Sequence, residues 1–366
     1  MTKQKDFITT SQTIVAISSH MTSLGILTLP RAITEVIKTP DGWLSILLAG
    51  LLLIGFSIIL VKLCQRFPQQ TVFEFSQVIL GKWLGQSLSY VLIIYFILLT
   101  GFEIRGMAEV TKLYLLPRTP FIATIVPFIC LGLYLIISGI NSIVRLFEIL
   151  LPPTIIVFLL VSLLSLKTFE LNNIRPVLGL GIWPVIKGLN STSLSLTGIE
   201  SLLVLSSFMR EPRKAIKAAT IGISIPLSFY VIIFIFTVGS LGVAGVTTKT
   251  WPVISLFRQF ELTGIVFERF ESFMIAVWIL QIFTTFVSGY YMASLGFAQL
   301  THKKMNPFIF GLAPIMYLTA MAPRNINDVF HFGNFLGYCG VTIIVAVSSI
   351  LLIIAIVRRK KHVPVS

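Results

Sequence analysis

The sequence predicts an all-α integral membrane protein with ten transmembrane helices in two five-helix repeats of opposite orientation. Apolar residues make up 55% of the 366 residues and charged residues 11%, whereas a soluble domain carries about 25% charged residues. Ten separate apolar runs are candidates for membrane helices, although the ninth is short. The first and sixth of these runs each contain a glycine beside hydroxyl residues near the middle, and this shared interruption predicts the repeat.

Long uncharged stretches such as residues 43–61, 155–166 and 341–357 are stable only in hydrocarbon. There each backbone N–H and C=O must be paired within a helix or a closed barrel. Barrel strands alternate apolar and polar residues, but these stretches are continuously apolar, so the sequence favours helices.

A helix needs about 20 apolar residues to cross a membrane. The predicted spans are residues 9–38, 42–64, 84–113, 119–138, 142–166, 183–208, 215–243, 265–299, 307–322 and 332–357. Ten spans place both termini on one side. The densest basic clusters, EPRKAIK (211–217) and RRKK (358–361), fall on that side, and cytoplasmic loops are enriched in Lys and Arg. We therefore expect both termini to be cytoplasmic.

The net charge of +14 does not indicate nucleic-acid binding, because the basic residues lie at the ends of apolar runs. Three widely separated cysteines and four scattered histidines have no metal or redox spacing. The sequence has neither a phosphate-binding glycine loop nor a catalytic triad pattern. We predict a protein that is not an enzyme, with no catalytic residues, metal site or cofactor.

The two interruptions are Ser23-Leu24-Gly25-Ile26 in span 1 and Leu196-Thr197-Gly198-Ile199-Glu200 in span 6. Corresponding interrupted helices in two halves indicate a LeuT-like inverted-repeat transporter fold with its ligand site between the broken helices. One transmembrane domain, residues 1–366, would contain repeats at about 9–166 and 183–357. The alternative is that Gly25 and Gly198 only allow close helix packing.

A broken helix leaves backbone groups free to meet a ligand. The half-helix that begins near Ile26 offers N–H donors and a positive dipole end, which suit a carboxylate. The half-helix that ends near Leu194 offers carbonyl groups to an ammonium. A zwitterionic amino acid therefore fits both ends.

Two of the acidic residues within the spans are candidates for a functional role, because ionisable groups in a membrane suggest function by default. Glu200 directly follows the second break, and Glu103 lies in span 3. Arg105 and Glu109 are four residues apart and are predicted to pair, which leaves Glu103 to face the bundle interior. Either carboxyl group binds a ligand or a proton, or serves as a buried structural hydrogen-bonding group.

Span 8 carries hydroxyl groups at Thr284, Thr285 and Ser288. With Glu103, they are candidates for an ion or water path, because Thr284 and Ser288 share one helix face. The alternative is that these hydroxyls bond to carbonyl groups of their own helix.

Four segments carry a resemblance to a known family. GILTLPR (25–31), KLCQRFPQQTVFEF (62–75), GFEIRGMAEV (101–110) and FMREPRKAIKA (208–218) resemble the B subunit of bacterial spore germinant receptors. That family is a branch of the amino acid–polyamine–organocation superfamily, and the resemblance covers essentially the full length.

The resemblance implies a receptor in the spore inner membrane that senses small nutrients, often amino acids. It implies two partners, a membrane A subunit and a lipoprotein C subunit. The implied ligand positions are Leu24, Gly25, Ile26, Tyr95, Thr197, Gly198 and Ile199. An aromatic wall position in span 10 would be Phe335 or Tyr338. Some proton-linked relatives have a mid-span lysine in helix five, but span 5 of this chain has none.

Three functional hypotheses follow. The first is a nutrient-sensing subunit that binds a germinant at the membrane midplane and triggers germination. The second is an amino-acid permease, and the third is a ligand-gated cation or water conduit lined by Glu103 and Glu200.

Overall fold

The computed structural model describes residues 7–259 and 270–361. Six helices are long and apolar enough to cross a membrane, and a bent helix pair makes a seventh span. Three shorter apolar segments are Phe121–Ile137, Ile199–Phe208 and Asn306–Met321. Together these elements correspond to the ten predicted spans, although residues 265–269 of the predicted eighth span lie outside the described residues.

The first half of the chain supplies spans 1 to 5. Its helices are α1 (Thr10–Met21), α2 (Gly25–Ile37), α3 (Gly42–Arg66), the short α4 (Val72–Leu80), α5 (Lys82–Val110), α6 (Phe121–Ile137) and α7 (Ile140–Ser165). Helices α1 and α2 form span 1 and are bent by 52° at the break between them. A π-helical turn, Thr111–Leu115, extends α5.

The second half begins with a span that is mostly short helical turns. Span 6 comprises α8 (Trp183–Gly188), 3₁₀ turns at Leu189–Thr192, Ile199–Ser201 and Ser206–Phe208, and α9 (Leu202–Leu205). The remaining helices are α10 (Ala215–Thr248), α11 (Pro252–Phe257), α12 (Phe270–Thr301), α13 (Asn306–Met321), α14 (Ile326–Thr342) and α15 (Ser348–Val357). Helices α14 and α15 form span 10 through a π-helical turn.

The two broken spans run in opposite directions beside each other. The start of span 1 pairs with the end of span 6, because the Ile8 N–H donates to the Phe208 carbonyl (2.8 Å) and the Arg210 N–H donates to the Ile8 carbonyl (2.9 Å). At the other end of the molecule, α2 packs against α8. A capping box between Thr9 and Gln12 fixes the first turn of α1.

The outer surface of the helical bundle is apolar, and the interior holds buried polar side chains within an apolar core. Large apolar side chains such as Leu51, Ile149 and Leu163 are more than 60% exposed, as expected for residues that face lipid. Helices α5 and α12 pack extensively against each other in the interior. Helix α10 packs against α1, α2 and α3. The breaks in spans 1 and 6 therefore lie inside the bundle, away from lipid.

Candidate ligand site at the crossing of the two broken spans

The two breaks contact each other inside the bundle. We call this region the crossing and define it as residues 19–26 of span 1 and 193–200 of span 6. Residues 22–24 join α1 to α2, and Gly198 has a φ of +123°. An L side chain rarely adopts that φ, so glycine at position 198 allows the chain to turn there.

The contact between the breaks is reciprocal and close. The Ser195 hydroxyl donates to the Gly25 carbonyl at 3.0 Å, and a Cβ atom on Gly25 would lie 2.8 Å from the Ser195 Cα. A Cβ atom on Gly198 would lie 2.7 Å from the Met21 Cγ and 3.0 Å from the His20 Cδ2. Each predicted glycine thus packs against the other broken span, as the close-packing alternative requires.

The Glu200 carboxylate fills the break in span 6. One oxygen accepts the Gly198 N–H at 2.7 Å, and the other accepts the Tyr95 hydroxyl at 2.5 Å. Glu200 is fully buried and Tyr95 is 4% exposed. Tyr95 and Glu200, which the sequence predicts separately, therefore form one cluster that joins α5 to span 6.

The Glu103 carboxylate occupies the equivalent place at the break in span 1. It accepts the Ser23 hydroxyl, and the Leu24 backbone amide also hydrogen-bonds to it. Helix α5 supplies both Tyr95 and Glu103, about 12 Å apart along its axis at 1.5 Å per residue. One helix therefore places a carboxylate at one break and a hydroxyl at the other.

The two carboxylates have no cationic partner among residues 7–259 and 270–361. Arg105 lies two residues after Glu103 and is also buried. Its guanidinium pairs with Glu109 at 2.8 Å, as predicted. It also lies 4.4 Å from the centroid of the Phe121 ring. The described part of the crossing thus holds two buried carboxyl groups and no cation paired with either of them.

The carbonyl end of α1 is held by side chains of α10 and α12. The Ser19 carbonyl accepts from Gln281 Nε2 and from the Thr284 hydroxyl, each at 2.9 Å. The His20 carbonyl accepts from the Thr285 hydroxyl at 2.8 Å. The Met21 carbonyl accepts from the Tyr230 hydroxyl at 2.5 Å. Neutral donors therefore satisfy the free carbonyls at the end of this half-helix.

These contacts define where the predicted ion-path hydroxyls lie. Thr284 and Thr285 contact the crossing directly, whereas Ser288 donates to the Thr284 carbonyl at 2.8 Å within its own helix. The sequence prediction missed Gln281, whose amide oxygen also accepts from Thr154 of α7 at 3.2 Å. An amide group in an apolar span is the signal that would have identified it.

The other predicted ligand positions are buried around this cluster. Leu24, Ile26 and Ile199 are at most 1% exposed. The Thr197 hydroxyl donates to the Leu194 carbonyl at 2.7 Å. Span 10 approaches Thr197 through Gly340, where a Cβ atom would lie 2.6 Å from the Thr197 Cγ2. Seven of the eight predicted ligand positions are part of the crossing as defined above, and the eighth, Tyr95, contacts it through Glu200.

The His20 imidazole is a further feature that the sequence prediction missed. Its side chain is buried, at 2% exposure, and both ring nitrogens lack a hydrogen-bond partner among the described residues. Its Cδ2 lies beside Gly198. A buried polar group without a partner is costly, so His20 is an additional candidate contact for a small polar molecule.

The fold and the crossing define a multi-pass membrane protein with a LeuT-like transporter architecture. The solved structure of MhsT in complex with L-phenylalanine is similar, with a TM-score of 0.73 over 98% of this chain and 91% of that chain. The sequences are 12% identical, so this likeness concerns the fold alone.

Sequence comparisons identify the family. Residues 7–329 match the family described as "Spore germination protein". The chain is 45% identical to spore germination protein YndE of Bacillus subtilis, covering 96% of this chain and 97% of the relative. It is 38% identical to spore germination protein A2 of the same organism, covering 96% of each, and 26% identical to spore germination protein GerLB of Bacillus cereus, covering 94% and 93%. The chain belongs to the spore germination protein family.

Proposed function

We propose that this protein is the nutrient-sensing subunit of a spore germinant receptor. It binds a small germinant, an amino acid, at the crossing and triggers germination. The observation that carries the proposal is that Glu103 and Glu200 are buried at the two breaks with no cationic partner among the described residues, in a member of the spore germination protein family. The proposed ligand positions are Leu24, Gly25, Ile26, Tyr95, Thr197, Gly198, Ile199 and Glu200.

The two buried carboxyl groups at the crossing favour a ligand with an ammonium group. Glu103 and Glu200 supply two carboxylates, and neither forms an ion pair within the described residues. The N-terminal end of α2 suits a carboxylate, but Glu103 already accepts from Ser23 at this position. A zwitterionic ligand would place its ammonium beside Glu103 and Glu200. Its own carboxylate would replace Glu103 as the acceptor at the N-terminal end of α2.

Ligand binding acts by shifting a conformational equilibrium. A ligand changes the population of two states only by its differential affinity for them. In this proposal the shift passes to the membrane A subunit and the lipoprotein C subunit, in the spore inner membrane, with both termini of this chain cytoplasmic. The protein is a receptor in this proposal and catalyses no reaction.

The direct test uses spores that lack this chain and the same spores complemented with it. We expect a panel of L-amino acids to contain at least one that germinates only the complemented spores. Identical responses of both spore types to every amino acid, with the complemented protein present at its normal level, would overturn the proposed function.

A variant tests the location of the site. Gly25→Ala introduces a Cβ atom 2.8 Å from the Ser195 backbone, and we expect about a tenfold higher germinant concentration for half-maximal response, equivalent to about 1.4 kcal/mol. Gly55→Ala is the matched control, because no atom lies within 4 Å of a Cβ atom there. If Gly25→Ala is present at the normal level and leaves the dose response unchanged, the crossing is not the site.

An amino-acid permease is the second candidate, favoured by the similarity to MhsT, whose solved structure contains L-phenylalanine. Purified protein in liposomes distinguishes the two. A permease would accumulate labelled amino acid under an ion gradient, whereas a sensor would bind it without net uptake.

A further inference from the structure

A cavity lies against the crossing, on the side away from the termini. Its volume is about 240 Å³, below the roughly 300 Å³ at the lower end of drug-sized ligand pockets, so it suits a small molecule. We call it the outer cavity. Its walls come from α2, from the turn that follows α8 and from α14, and they include Thr28, Arg31, Glu35, Ser195, Phe330 and Tyr338.

The lining holds one guanidinium and one carboxylate, which are paired with each other. Arg31 Nε lies 2.6 Å from Glu35 Oε1, and the two side chains are 28% and 45% exposed. A guanidinium has five N–H donors, so this contact does not exhaust its capacity. An exposed pair of this kind contributes little to stability, and a ligand can therefore separate it or bridge it at little cost.

An aromatic wall faces this charged pair. The Arg31 guanidinium lies 5.5 Å from the centroid of the Phe330 ring, and this contact orients the cation towards α14. Tyr338 lines the same cavity. The outer cavity thus combines a cation, an anion and an apolar surface, which are the three groups that an α-amino acid requires.

The floor of the outer cavity is connected to the crossing. Thr28 and Ser195 both line it, and both hydroxyls donate to the Gly25 carbonyl, at 3.1 Å and 3.0 Å. A molecule in the outer cavity therefore lies one hydrogen-bonded layer away from the break in span 1.

We propose that the outer cavity is a separate binding site for a free α-amino acid. Arg31 holds the carboxylate, Glu35 holds the ammonium, and the side chain packs against Phe330 and Tyr338. The amino acid occupies this site before it enters the crossing. The inference rests on the proposed function, since both require an amino-acid ligand.

The test measures binding to the purified protein in lipid nanodiscs. The probes are L-alanine, L-valine and L-phenylalanine, each compared with its amide, which lacks the carboxylate, and its N-acetyl derivative, which lacks the ammonium. We expect the wild type to bind at least one amino acid about tenfold more tightly than either derivative.

Two substitutions, each made in the Glu103→Gln background so that binding at the crossing is weakened while the outer cavity is unaltered, should remove this preference in different ways. Arg31→Gln is expected to lose the preference over the amide and Glu35→Gln the preference over the N-acetyl derivative. The double variant Arg31→Glu with Glu35→Arg retains both charges and should regain the preference for the zwitterion. Arg118→Gln and Glu170→Gln are matched controls, because both side chains are exposed and neither lines the outer cavity.

The possible results separate the two proposals. If the wild type binds an amino acid and both single variants keep its preferences, the outer site is overturned and the crossing stands. An equal loss of affinity for all three forms of a probe indicates a purely structural role, which also overturns the outer site. If the wild type binds no amino acid, the proposed function fails, and the outer site fails with it.

Discussion

The Tyr95 hydroxyl donates a hydrogen bond to Glu200 Oε1 at 2.5 Å, and this contact joins α5 to the break in span 6. The other oxygen of the same carboxylate accepts the Gly198 N–H. The turn at Gly198 is thus held by a carboxylate whose position depends on a tyrosine from a different helix. This coupling between α5 and the break gives the first prediction.

Tyr95→Phe should destabilise the break in span 6, because it leaves a buried Glu200 oxygen without its donor. Such a loss costs about 1–3 kcal/mol. We expect a lower Tm in detergent and a higher germinant concentration for half-maximal germination. Tyr134→Phe is the control, since that side chain is 78% exposed. Equal melting temperatures for the wild type and both variants would contradict the structural role of this bond.

Glu103→Gln should separate the charge of Glu103 from its hydrogen bonding. The glutamine carbonyl can still accept from Ser23, so we expect nearly wild-type Tm, whereas Glu103→Ala should lower it by leaving the Ser23 hydroxyl unpaired. Loss of germination in Glu103→Gln at normal protein level would support an ammonium-binding role. Planar-bilayer currents that vanish in this variant would instead support the conduit hypothesis.

Gly198→Ala should reduce the amount of folded protein in the membrane. The φ of +123° is strained for alanine by about 1–3 kcal/mol, and the added Cβ atom would lie 2.7 Å from Met21 Cγ. Gly311→Ala is the matched control, because no atom lies within 4 Å of a Cβ atom at that position. Immunoblots of membrane fractions measure the level, and a normal level of Gly198→Ala would show that the turn has another conformation.

Replacing Na⁺ with a large organic cation should leave the germinant response unchanged. The Ser19 and His20 carbonyls already accept from Gln281, Thr284 and Thr285, so a cation is not needed to satisfy them. Dose-response curves in the two salts at equal ionic strength measure this. A response that weakens about tenfold without Na⁺ would favour the predicted ion path at Thr284, Thr285 and Ser288.

The spans and their breaks were predictable because they depend on local composition. Apolar runs define the helices, and Gly25 and Gly198 lie at the observed breaks. The sequence also identified Glu103 and Glu200 as unusual, because ionisable groups are costly in a span. It did not show that Ser23 is the donor to Glu103, since their contact depends on how α5 packs against span 1.

Other features were less accessible to sequence analysis. Gln281 and His20 were not selected, although each places a polar side chain in an apolar run. Span 10 was expected to contribute an aromatic wall at Phe335 or Tyr338. Both side chains are 54% exposed, but only Tyr338 of the two lines the outer cavity. Span 10 approaches the crossing through Gly340, which has no side chain. An aromatic contact from span 10 to a bound ligand therefore stays a prediction.

The backbone bridge between Ile8 and residues 208 and 210 bears on the choice between sensor and permease. These two hydrogen bonds hold the ends of the broken spans together on the side predicted to be cytoplasmic. A permease that releases its substrate between these two ends must break the bridge in every transport cycle. A sensor can bind its ligand and keep the bridge intact. Hydrogen–deuterium exchange at the Ile8 and Arg210 amides, followed while amino acid is added, therefore reports directly on whether the protein cycles.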